Sequence, residues 1–77
     1  MFTEAIKVLE NAIETFQDRG KYYANLASSS EDQSEILTFS ESAYKYFQKV
    51  YALKHAIKLL NDLGDLFNDL EDFGNGQ

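Results

Sequence analysis

The sequence predicts an all-α fold, an antiparallel hairpin of two long amphipathic helices completed by a short C-terminal helix into a three-helix bundle, or by dimerisation into a four-helix bundle. Three observations carry this. Apolar residues recur in alternating steps of four and three along two long stretches. Proline is absent, so the chain holds no rigid helix breaker. One serine-rich break, Ser28-Ser29-Ser30-Glu31-Asp32, separates the two stretches.

The first stretch places Phe2, Ile6, Leu9, Ile13, Phe16, Gly20, Tyr23 and Ala27 on one seam, the a/d pattern of a helix packed along a neighbour. Ala5, Ala12 and Leu26 widen the stripe, while Lys7, Glu10, Asn11, Glu14, Asp18 and Lys21 take the solvated face. A helix over about 3–28 follows, with Thr3 as N-cap. Gly20 costs ~1 kcal/mol against Ala inside a helix. The seam crosses it without losing phase, which points to close approach of a second helix rather than a kink.

Ser28 with Glu31, and Ser30 with Gln33, both have capping-box spacing, and either gives a short connection between antiparallel helices. The second helix runs over about 32–62, with Ile36, Phe39, Ala43, Tyr46, Val50, Leu53, Ile57 and Leu60 as its seam. Phe47 lies beside that seam, and Tyr44 and Tyr51 lie further round. Its apolar surface therefore covers roughly half the circumference, wider than a one-sided helix needs. Two neighbours are implied: the first helix, and either the C-terminal segment or another chain.

In the C-terminal segment Leu63, Leu66, Phe67, Leu70 and Phe73 share one side, and Asp62, Asp65, Asp69 and Asp72 the other. Gly64 fits a C′ position closing the second helix, with Asp65 capping a third over about 65–73 and a tail at 74–77. The alternative is one rod of about 60 Å that overhangs the first helix and needs a partner chain.

The chain has 77 residues, enough for one domain. A domain this small buries only about 60% of its unfolded surface, so its core is thin. Cysteine is absent, which removes disulfides and thiolate metal sites and accords with a cytoplasmic setting. The N-terminus, with Glu4 and no apolar run, does not read as a signal peptide. The longest apolar run, Val50-Tyr51-Ala52-Leu53, is far too short to span a bilayer.

Net charge is −6, which disfavours direct binding to nucleic acid or anionic lipid. The charge is laid down in blocks: −1 over 1–27, −4 over 28–41, +4 over 42–60 and −5 over 61–77. Acids at a helix start complement its dipole, and Glu41 with Lys45 makes an i,i+4 pair, so helix stabilisation accounts for part of the pattern. The functional reading takes Glu31, Asp32, Glu35, Asp65, Asp69 and Asp72 as a surface for a basic partner. Lys45 and Lys49 lie on one flank of the helix and Lys54 and Lys58 on the other, so they form no stripe for a phosphate backbone.

The pattern of residues points away from catalysis. His55 is the lone histidine, it lies off the seam, and nothing near it in sequence resembles a nucleophile elbow. Ala52 stands where a Glu-x-x-His di-metal motif would need Glu. An EF-hand loop begun at Asp62 fails at Gly64, Leu66 and Phe67. No glycine-rich phosphate cradle occurs. No catalytic residue, cofactor or metal site is therefore expected.

What remains is surface recognition, with Tyr44, Tyr51 and Phe47 as candidate contacts. The leading expectation is a small acidic non-enzymatic interaction module, an adaptor or inhibitor acting on a larger protein. A second is a mimic of DNA charge that blocks a nucleic-acid-binding enzyme, resembling in kind the small anti-restriction and anti-CRISPR proteins of phage. A third is a subunit of a structural homo-oligomeric bundle, beginning with a homodimer.

Overall fold

The structure is a computed structural model that describes residues 2–75, with side chains through Glu71. It consists of α1, Thr3–Ser29, and α2, Gln33–Asn75, with no strand among the described residues. The two lie antiparallel in a rod of 69 × 16 × 11 Å.

The seams read from the sequence are the contact surface. Every member of the α1 seam is buried or half-buried, from Phe2 to Ala27, and so is every member of the α2 seam from Ile36 to Leu60. Ile13, Ala43 and Val50 are the buried apolar centre. Aromatic contacts fix the register. Phe2 meets Phe67 at 6.4 Å between ring centroids, Phe16 meets Tyr46 at 5.9 Å, and Tyr23 meets Phe39 at 6.3 Å and Tyr46 at 5.8 Å. These pairs bracket an alignment that sets Phe2 level with Gly64, Gly20 with Tyr46, Tyr23 with Ala43, and Ala27 with Phe39. Small residues stand across from large ones along the seam, which lets two narrow helices interdigitate.

The predicted break at Gly64 is not there. The helix continues through it in one 43-residue element, and no separate third helix is present among the described residues. Gly64 extends the seam by the same step, Leu60 to Gly64 to Phe67, and it is buried. Gly74 and Asn75 of the expected tail belong to α2, while Gly76 and Gln77 of that tail and the side chains of Asp72 and Phe73 lie outside the described residues.

Both helix starts differ from the predicted caps. Thr3 is the first helical residue, and Phe2 takes the N-cap position with no side-chain cap, at φ 62°. A left-handed phenylalanine is uncommon. Its carbonyl accepts from the Ile6 amide at 2.9 Å, while its ring rests against Phe67. The ring contact anchors the chain where it enters α1, and no side chain caps the first amides.

At the other end neither serine caps α2. Asp32 does, its Oδ1 accepting the Ser34 amide at 2.8 Å. Ser30 Oγ donates to Glu35 Oε2 at 2.8 Å, tying the loop to the first turn. Asp32→Ala is therefore expected to cost about 1 kcal/mol, read as a fall in Tm of about 4–8 °C in a thermal melt. No fall at all would show that the cap contributes nothing.

Candidate interaction surfaces

A hairpin has two flat faces, one on each side of its seam. With the α2 seam at heptad positions a and d, the b and e positions fall on one face and the c and g positions on the other. Contacts with α1 confirm which is which. Lys49 Nζ lies 5.3 Å from the Phe16 ring centre and 5.4 Å from that of Tyr46, and the Arg19 guanidinium sits 6.0 Å over Tyr46, all on the c/g face. Phe47 lies over Gly20 on the b/e face.

The candidate aromatic contacts come together on the b/e face toward the loop. Leu37, Tyr44 and Tyr51 occupy b positions one heptad apart, 61%, 62% and 76% exposed, and Phe47 lies between them at 39%. Successive b positions stand about 10.5 Å apart along the axis, so the four side chains form a strip of roughly 20 Å. Tyr44 Oη accepts from Gln48 Nε2 at 2.8 Å, which steadies one ring while the phenol stays wet. Leu37 belongs to this strip and was missed in the sequence. Its signal was the seven-residue spacing to Tyr44.

The acidic candidates do not form one patch. Glu31 and Asp32 lie in the loop with Glu35 in the first turn of α2, while Asp65 and Asp69 lie toward the far end. Asp32 and Asp65 are about 50 Å apart along the helix at 1.5 Å per residue. All of these side chains are exposed, and two of them, Asp32 and Glu35, are used locally by the loop.

A shallow open groove of about 400 Å³ lies on the b/e face near the N-terminus, lined by Thr3, Ile6, Lys7, Glu10 and Asn61. His55 is exposed on the outer side of α2. Among the described residues no group of three or more His, Asp and Glu side chains is placed to hold a metal ion, and no helix is long and apolar enough to cross a membrane.

The c/g face carries a second apolar seam. Ala52, Ala56, Leu59, Leu63, Leu66 and Leu70 follow one another in alternating steps of four and three, and each leucine is 39–57% exposed. α1 reaches only to about the level of Gly64, so the last part of this seam lies on a length of α2 that has no neighbour. Comparison with known proteins gives no match to a family model, to a curated protein or to a solved structure.

Proposed function

We propose that the chain is a non-enzymatic protein-interaction module, an adaptor or inhibitor that engages a larger protein through the strip formed by Leu37, Tyr44, Phe47 and Tyr51. The observation that carries this is the exposure of those four side chains on one face of a rigid helix. Tyrosine supplies a large apolar body with a polar tip and loses little rotamer freedom, which suits a contact surface. The strip is displayed at regular spacing, as helix-in-groove recognition requires.

Affinity capture from a lysate of the source organism tests it. The wild-type chain is expected to retain a specific protein, and the Tyr44→Ala/Tyr51→Ala variant to lose it. Both tyrosines project from the hairpin, so the variant keeps its helical circular dichroism. Binding is expected to hold at moderate salt, because apolar contacts are not screened. A partner held equally by the double variant and released steeply by salt would overturn this reading in favour of a mimic of DNA charge. The 50 Å separation of the acidic clusters counts against that alternative.

A further inference from the structure

We infer that the c/g face of α2 binds a second copy of this chain, in an antiparallel two-fold dimer centred beside Asn61. The seam of Ala52, Ala56, Leu59, Leu63, Leu66 and Leu70 is self-complementary in this arrangement and in no neighbouring one. Antiparallel helices pair a positions with d positions at a constant sum of residue numbers. Centred at 61, the levels are Ala52 with Leu70 of the other copy, Ala56 with Leu66, and Leu59 with Leu63. All six seam positions are matched, and each alanine faces a leucine. The intramolecular seam follows the same rule, with Gly20, Ala27, Ala43 and Gly64 each level with an aromatic side chain.

Shifting the dimer by one heptad in either direction is worse. One shift sets Lys49 of each copy against Leu66 of the other, burying two ammonium groups against leucine. The opposite shift brings Asp62 beside Asp69 of the other copy twice over, and carries Ala52 past the last seam leucine. In the matched register Asp69 instead faces the His55 of the other copy, and a single Asp62 pair meets at the axis.

Charge selects the antiparallel direction. Residues 61–77 hold five acids and no base, and residues 42–60 hold four lysines and no acid. The two-fold sets Asp65 and Asp69 of each copy level with Lys58 and Lys54 of the other, and because those lysines project from the b/e flank the attraction acts across the helices and not as ion pairs within the seam. A parallel dimer would set acids beside acids and lysines beside lysines. Opposed charge of this kind sets orientation and register more than it sets affinity.

The surface also belongs to a molecule short of core. Among the described residues only three apolar side chains are buried within one copy, and α2 extends past α1 with its leucines uncovered. On the same face Ala5 and Val8 of α1 flank the axis, so the contact widens from two helices to four. The aromatic strip lies on the opposite face and stays open, which would give the dimer two such strips.

Analytical ultracentrifugation of the full chain tests the inference. A dimer with micromolar Kd is expected, with a Tm that rises with protein concentration. Leu66→Asp and, separately, Leu70→Asp are expected to raise Kd by at least about hundredfold while far-UV circular dichroism at high concentration still shows the hairpin. Neither leucine lies against α1. Tyr44→Ala/Tyr51→Ala is expected to leave Kd unchanged, which separates this interface from the one proposed above. Spin labels then read the geometry. Labels on Asp62→Cys should lie within about 20 Å of each other, because packed helices are 8–10 Å apart. Labels on Glu31→Cys should lie about 90 Å apart. A chain that is monomeric at 100 µM (about a hundred times the expected Kd), a dimer indifferent to both leucine variants, or Glu31→Cys labels close together would each overturn it.

Discussion

Val50→Asp is expected to unfold the hairpin. Val50 is one of three buried apolar side chains among the described residues and stands level with Phe16 at the middle of the seam. Replacing it removes about 1.5–3 kcal/mol of burial. It also places a carboxylate between two helices with no buried donor to receive it, and leaving such a group unpaired costs several kcal/mol more. A domain of this size has roughly 4–12 kcal/mol to lose, and a two-helix core belongs at the low end. The combined loss meets or exceeds the whole. The measurement is far-UV circular dichroism with urea titration, and the expected result is loss of most helical signal without denaturant. Tyr51→Asp, one residue further on and 76% exposed, is the matched control, expected to change stability by no more than about 0.5 kcal/mol. If the two variants behave alike, Val50 is not core, and the packing described above is wrong at its centre.

The contrast between neighbours only one residue apart is also why so much of this fold was legible. In α1 the steps of four and three fix a single stripe, and every seam residue from Phe2 to Ala27 is buried or half-buried in the structure. In α2 the same seam was equally plain through Leu60. What the pattern did not expose was the continuation. Glycine is common after the last turn of a helix, so Gly64 alone signals a stop. Yet the seam keeps phase across Gly20, which lies within a helix, and it keeps phase across Gly64 in the same way. Consistent use of that criterion would have given one helix. The overhang and the uncovered leucines then follow.

The candidate surfaces were legible only in part, for a related reason. Tyr44, Phe47 and Tyr51 could be set on one flank by counting, since a helix fixes angular position from residue number alone. Leu37 shares their angular position, and a lone leucine beside the seam residue Ile36 carries no signal of its own until its exposure is seen. The acids were grouped by proximity in the charge blocks, but the hairpin places its loop at one end and the last turns of α2 at the other. Block charge carries no information about that separation until the topology is known. The caps show the same limit. Two serines and Asp32 all sit within reach of the first turn of α2, and the choice of Asp32 depends on where Ser30 leaves α1 in an extended conformation.

Gly20→Val is expected to destabilise the hairpin by about 2–3 kcal/mol, through overpacking against the Phe47 ring. A Cβ at Gly20 would fall 2.7 Å from Phe47 Cε1, 2.9 Å from Cζ and 3.0 Å from Cδ1. No real Cβ tolerates that, so the Phe47 ring must move. Helix propensity works the other way, since glycine in a helix costs ~1 kcal/mol against alanine. For Gly20→Ala the two effects nearly cancel: the lone methyl gains about 1 kcal/mol of propensity and displaces one half-exposed ring. For Gly20→Val the propensity gain is smaller and the two further methyl groups press on the seam beside Tyr46, so the steric term wins. A double-mutant cycle separates these contributions. On a Phe47→Ala background the obstructing ring is gone, and Gly20→Ala should become stabilising by nearly its full propensity, raising Tm by about 4–8 °C. On the wild-type background the same substitution should move Tm little. An equal effect of Gly20→Ala on both backgrounds would mean that Phe47 does not rest on Gly20, and the strip that Phe47 shares with Tyr44 and Tyr51 would have to be redrawn.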